Sequence, residues 1–201
     1  GTGTAAETRS KELREALRSL SVRPKHLELG VRDQTACFHL PAITRALLRE
    51  IARAEIVITH PYEGGHPDHD ASAFAVQSAC QLLERRGEKA PVRLEFACYH
   101  LRNGRRITGA FLPRPGMIGL KAELDPDCLE RKNRGLSCFR SQAETVAWFA
   151  PEIELYRAAP FYDFRMQPAA LYDLWDWPVN SAIWQAQRAR ALIELGLARV
   201  G

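Results

Sequence analysis

The sequence has no CxxC pair and no long apolar run, and few of its cations are lysine. Its five cysteines, Cys37, Cys80, Cys98, Cys128 and Cys138, are odd in number and far apart. This excludes a disulfide framework and reads as reduced, mostly buried cysteines of a cytoplasmic protein. No apolar stretch approaches the roughly 18 residues of a membrane helix, and the opening residues do not read as a signal peptide. The net charge is only +4 over 201 residues. A nucleic-acid partner requires Lys and Arg clustered on one face, so this weak surplus gives no reason to invoke one. Only five of the 28 basic residues are lysines, and the Arg- and Ala-rich usage fits a GC-rich bacterial genome. Hydrophobic residues make up 46% and charged residues 26%, an ordinary globular mixture that excludes a disordered or collagenous chain. The length predicts a single domain over 1–201, α/β by the alternation set out next.

Helical spacing of Leu13, Ala16, Leu17 and Leu20 predicts a helix from about Ser10, stopped by Pro24. His26–Leu29 reads as a short strand. Pro41–Ala52 reads as a second helix with proline in its first turn. Ala54–Thr59 is a short β-branched run of the kind buried in a parallel sheet. A long helix opens near Pro67 and ends at Gly87. Pro91–Tyr99 alternates like a strand, and Arg102–Arg105 carries Asn-Gly, a hairpin signal. Asp125-Pro126 opens a helix to about Arg140, followed by a second helical stretch, Ser141–Trp148. Glu152–Arg157 is a candidate strand, and the final helix covers about Ala182–Leu195. This alternation predicts a Rossmann-like, mostly parallel sheet flanked by helices.

Chemistry concentrates in the run from Thr59 to Asp70, THPYEGGHPDHD, which holds three of the six histidines. It follows a buried strand and opens a helix, the place where open α/β sheets bind ligands. Pro67 in the first turn puts His66 near the cap and His69 within that turn. A helix N-terminus disfavours imidazolium, and a metal ligand must be neutral imidazole. The Gly64-Gly65 pair allows a sharp turn or a close approach. A single histidine before a helix is usually a cap or a surface residue. Three histidines with Glu63, Asp68 and Asp70 point to metal or acid–base chemistry, with the metal left open among zinc, iron, copper and nickel. His100 at the end of the 91–99 strand reads first as a loop residue and second as a residue at the sheet edge that carries the site, His26 and His39 as structural. The aromatic residues from 161 to 177 read first as a packed lid, and second as a sugar-stacking surface.

His66–His69, HPDH, after THPYEGG resembles the second motif of the PIG-L/LmbE-like deacetylases. These zinc enzymes remove N-acetyl groups from amino sugars and related amides. Arg9, Lys11, Glu12, Leu13 and Ala16 resemble the family's helix after its first strands, and Gly30-Val31-Arg32-Asp33 its G-x-x-D loop. Lys132, the run Cys138–Gln142, Glu154 and Arg157 are similar to its C-terminal stretch. The likeness covers about residues 9–165. It implies that His69 is a zinc ligand, with Fe²⁺ as the other metal. It implies that His66 protonates the leaving amine or stabilises the oxyanion, and that Asp68 orients His66 and tunes its pKa. Arg9, Asp33, Tyr62 and Glu63 would contact substrate. The partner implied is an N-acetylated small molecule, with no nucleic acid and no membrane; a homo-oligomer is left open.

The family's first motif, AHPDDE, supplies two further zinc ligands and the base that activates water, and this chain has no HPDD. The resemblance therefore implies an N-terminally incomplete domain lacking a strand–helix–strand unit of about 30 residues or more. Three explanations compete. The favoured one is truncation. The second is a remnant without catalysis that acts as a binding protein. The third is a different metallohydrolase in which His60, Glu63 or Asp70 replaces the missing ligands. Truncation predicts an open sheet edge, with poor solubility or a partner filling it.

Overall fold

The computed structural model describes residues 4–198. The chain divides into two compact units. One takes the chain up to Glu28 together with Lys121–Glu154; the other takes Leu29–Leu120 and the chain from Leu155 onward. The fold is α/β.

In the first unit, α1 spans Ala5–Ser19. It starts earlier than the apolar spacing predicts because Thr4 and Glu7 form a capping box. The Glu7 amide donates to the Thr4 hydroxyl and the Thr4 amide to the Glu7 carboxylate. The buried Glu12 carboxylate accepts from the Ser141 amide at 2.8 Å and its hydroxyl at 2.6 Å. Lys132 pairs with Glu154 at 2.9 Å. Gly135 lies against the Leu20 side chain, where a Cβ would come within 3.3 Å.

In the second unit, a 3₁₀ turn Ala36–His39 leads into α2, Leu40–Ile51, with Pro41 in its first turn. Strand β1, Ile56–Thr59, follows. Helix α3, Pro67–Arg85, is buried along most of its length. Its small residues Ala71, Ala75 and Ala79 let α2 approach closely. Leu48, Ile51, Val76, Ala79, Cys80 and Leu83 form one cluster there.

Strand β2, Val92–Phe96, runs parallel to β1, with Ile56 opposite Val92 and Thr59 opposite Glu95. The strand expected over 91–99 breaks after Phe96. The Ala97 amide donates to the Leu155 carbonyl, and the Gly109 amide to the Cys98 carbonyl. The chain thereby leaves the sheet and enters a hairpin of β3, Tyr99–Arg102, and β4, Arg105–Thr108. Its two turn residues, Asn103 and Gly104, both have positive φ, 51° and 71°, as a type I′ turn requires. His100, read from sequence as a loop residue, is a buried strand residue.

The first unit completes with β5, Leu120–Glu123, which sequence patterning missed, then α4, Pro126–Ser137, and the short α5, Ala143–Val146. Asp125 caps α4 by accepting from the Cys128 amide. Strand β6, Ile153–Ala158, pairs antiparallel with β2, Glu95 opposite Arg157. The sheet of the second unit is therefore mixed, in the order β1-β2-β6. Strand β1 stands at the edge, with Ile56 and Ile58 more than half exposed on one face. The strand expected at His26–Leu29 does not form. All four residues are exposed, with no neighbouring strand to pair them.

Helix α6, Ser181–Glu194, is capped by Asn180, whose side chain accepts from the Ile183 amide. It carries Trp184 into the main core beside Tyr62, Phe74, Tyr162 and Phe164. Among the described residues no helix is long and apolar enough to cross a membrane.

Trp184 is fully buried, 5.1 Å from Tyr62 and 6.3 Å from Phe164, and its indole N–H has no acceptor. Trp184→Ala is expected to cost about 4 kcal/mol. Trp184→Phe costs markedly less, because it removes the unpartnered donor while keeping most of the buried ring volume. Urea unfolding checks this; equal midpoints for the two variants overturn it.

Candidate metal and acid–base site

Residues His60–Gly65 connect β1 to α3, and the loop is folded back onto the helix that follows it. One oxygen of the buried Asp70 carboxylate accepts from the Glu63 and Gly64 amides at 3.2 and 3.1 Å. The other accepts from the Tyr172 hydroxyl at 2.9 Å. Burial pushes Asp70 up to about 7, against the pull of the Tyr172 hydrogen bond. Gly64 has φ +71°, and a Cβ at Gly65 would lie 1.9 Å from the Tyr99 carbonyl oxygen. Only glycine fits at either position.

His66 caps α3. Its Nδ1 accepts from the Asp68 amide at 3.1 Å, which places a ring proton on Nε2. Nε2 lies 3.8 Å from the exposed Asp33 carboxylate, and the Trp177 ring centre is 4.7 Å from the imidazole. Burial lowers the pKa of His66, while the charges of Asp68 and Asp33 raise it. The Asp68 carboxylate does not touch His66. It accepts from the Gln34 and Ala36 amides at 2.7 and 2.9 Å and so holds the turn that carries Asp33. Burial pushes Asp68 up, opposed by the Ala36 amide and by His66.

His69, in the first turn of α3, is stacked on His60. The ring centres are 3.8 Å apart and the planes 3° apart. Phe96 packs on His60, and Tyr99 meets His69 edge-on. Burial, reinforced by the neighbouring histidines, drives His69 well below the usual histidine range. Burial and His66 take His60 to about 4. Both rings are therefore neutral at physiological pH, the state a metal ligand needs. Two groups of potential ligands result. In His60, His69 and Cys98, and again in Asp33, His66 and Asp68, one donor atom per residue lies within 4.8 Å of the others. Two imidazoles and a sulfur fit a borderline-soft divalent ion such as zinc.

Tyr62 and Glu63, expected at the substrate, serve the interior. The Tyr62 hydroxyl bonds to the Phe164 carbonyl, Gln167 and Gln185. Glu63 accepts from the Leu112 amide and from Arg157 Nη2 at 2.8 Å. Arg157 also donates to Glu95 at 2.9 Å and to the Tyr162 hydroxyl at 3.2 Å. His100 Nδ1 lies 3.4 Å from the other Glu63 oxygen. Arg9 lies on α1 in the first unit; all the residues just described belong to the second. Cys98 carried no sequence signal as a ligand. The available clue was its place three residues past Glu95, the residue opposite Thr59 at the end of the parallel partner β1.

The family model described as GlcNAc-PI de-N-acetylase, PIG-L, matches residues 2–80. The chain is also 26% identical over 147 residues to a Bacillus cereus protein described as "Probable N-acetyl-alpha-D-glucosaminyl L-malate deacetylase 2". That match covers 71% of this chain and 61% of the relative, so the chain spans about three fifths of the relative's length. No solved structure matches. The stretch matched by the family model ends inside α3. It contains His60, His66, Asp68 and His69, but not Cys98, Arg157 or Trp177.

Asp68→Ala removes the acceptor of two amides and is expected to cost about 2 kcal/mol, the range for hydrogen bonds to a charged group. Exchange at the Gln34 and Ala36 amides should accelerate, while the His66 cap, made by the Asp68 backbone, persists. Unchanged exchange at both amides overturns this role. Arg157→Met strands Glu63 and Glu95 as buried, uncompensated carboxylates and is expected to cost about 4 kcal/mol, read by thermal unfolding. A loss below about 1 kcal/mol, the size of a typical single hydrogen bond, shows that the carboxylates find other partners.

Proposed function

We propose that this chain carries the site of a metal-dependent deacetylase-like hydrolase. It removes an N-acetyl group from an amino sugar or a similar small molecule, with zinc as the metal and Fe²⁺ as the other candidate. The observation that carries this reading is the division between two histidines at one helix end. His69 is half-buried and neutral, with its ring against His60 and Tyr99 among potential ligands, while His66 presents Nε2 toward Asp33 and Trp177.

A bound divalent ion supplies Lewis acidity toward an amide carbonyl and lowers the pKa of water. His69 is the ligand from the HPDH motif. His66 Nε2–H is a fixed donor, because Nδ1 is occupied as the acceptor of the Asp68 amide. A second ring proton would have to displace that hydrogen bond. This favours His66 as the donor that stabilises the oxyanion of the tetrahedral intermediate over its role as the acid for the leaving amine. Asp68 positions the turn, and thereby Asp33, which is suited to accept from a sugar hydroxyl. Trp177, half-buried beside His66, offers the flat apolar surface on which a pyranose ring packs.

The test is acetate release from a panel of N-acetylated amino sugars and their glycosides by the full chain supplied with zinc. His66→Asn is expected to lower kcat/KM about 10²- to 10³-fold, the range for loss of an oxyanion donor, with metal content unchanged. Absence of acetate across the panel overturns the hydrolase reading. Saturable binding without turnover then identifies a binding protein.

A further inference from the structure

We propose that His60 and Cys98 complete, with His69, a three-donor site that selects a borderline-soft divalent ion over hard ions such as Mg²⁺ or Ca²⁺. The inference rests on the metal-dependent reading above and names the ligand set that this chain supplies by itself.

The set is a product of topology. Strands β1 and β2 are parallel and in register at Thr59 and Glu95, so their C-terminal ends open on the same side. His60 is the first residue past β1. Cys98 is the second past β2, at the break where the chain turns into the hairpin. His69 is brought to the same point by the first turn of α3. In a tetrahedral zinc site, bonds of about 2.1 Å to nitrogen and 2.3 Å to sulfur place ligand atoms roughly 3.4–3.7 Å apart. The three donor atoms here all lie within 4.8 Å of one another. Parallel rings aim their in-plane lone pairs side by side, so one imidazole must turn about its Cβ–Cγ bond to share an ion with the other.

A second observation points to a ligand at this place. His60 Nδ1 is buried without a hydrogen-bond partner, a cost that native interiors rarely leave standing. The other local replacements suggested by the sequence are already engaged. Glu63 is held by Arg157 and the Leu112 amide, and Asp70 by two loop amides and Tyr172. The Asp33, His66 and Asp68 group is engaged as well: its Asp68 oxygens take two amides, and its His66 Nδ1 takes a third. Cys98 is buried beside the two rings. Binding converts its thiol to a metal thiolate and releases the proton to solvent. Thiolate with imidazole favours zinc-type ions and disfavours the oxygen-seeking ones. Three protein ligands leave the fourth position open for water or substrate, as catalytic sites require.

The experiment is titration of the metal-free full chain with Co²⁺, followed by displacement with Zn²⁺. Expected are about one equivalent bound and a thiolate-to-cobalt charge-transfer band in the near ultraviolet. The band should be lost in Cys98→Ser and kept in Cys80→Ser. Affinity should fall at least about tenfold, the lower bound for lost support of a metal site, in His60→Asn, His69→Asn and Cys98→Ser. X-ray absorption at the zinc edge of the wild-type chain reads a sulfur neighbour directly, without depending on any variant's folding. Binding that depends on His69 but not on His60 or Cys98, with no sulfur neighbour, overturns this ligand set and leaves the metal-dependent reading standing. No binding by the wild-type chain, zinc included, overturns both.

Discussion

The site depends on a buried carboxylate that has no cation beside it. Asp70 is satisfied entirely by neutral donors, two loop amides and one phenol. Burying a carboxylate costs several kcal/mol unless its lone pairs are met, and the rise of its pKa to about 7 records that resistance. The three hydrogen bonds offset the cost only in one conformation, with the loop doubled back over the start of α3. That conformation needs a positive φ at Gly64 and no side chain at Gly65. Its consequence is that His60, which opens the loop, meets His69, which follows it, ring against ring. The stack is therefore set by where the loop is fastened.

The same loop is fastened a second time from the sheet. Glu63 reaches Arg157, which bridges to Glu95 on the adjacent strand, its partner in the antiparallel register. Burial raises the Glu95 pKa, opposed by Tyr162 and Arg157. A buried ion network of this kind is a poor source of net stability, since desolvation consumes most of the Coulombic gain. It is costly to disturb, however, because removing one member leaves the others unpaired. Asp70 fixes the loop backbone to α3 and Arg157 fixes its acidic side chain to β6, so the loop cannot shift without breaking one of them.

Local chemistry was legible in the sequence where a short stretch settles its own conformation. Pro67 opens α3, Asn103-Gly104 makes the tight hairpin, and Asp125-Pro126 caps α4. The residues quoted for the family resemblance are structurally engaged: Glu12 holds Ser141, Lys132 pairs with Glu154, and Arg157 is the buried bridge. The capping box at Thr4 and Glu7 was also written in the sequence, but the apolar spacing that marks the helix begins only near Ser10. Illegible were the consequences of long-range placement. Tyr62 and Glu63 sit in a polar motif and look available to substrate, yet the fold-back at Asp70 turns both inward. Cys98 looks like a core cysteine until β1 and β2 are aligned. His100 looks like a loop residue until the hairpin is paired.

The boundary of the stretch matched by the family model sharpens this contrast. Residues 2–80 carry the strand, the loop and the first part of α3, where His60, His66 and His69 arise within ten positions. Some of the neighbours that give those histidines their different characters come from beyond residue 80. Phe96 and Tyr99 enclose the His60–His69 pair, and Cys98 stands with it as a third donor. Trp177 lies against His66. A motif on one loop thus specifies which side chains are present, while the register of β2 and the C-terminal aromatic segment decide which neighbours each imidazole meets. The imidazole stacked among other donors is suited to hold an ion. The other, with Nδ1 fixed on a backbone amide and Nε2 turned toward Asp33, is suited to meet an oxyanion.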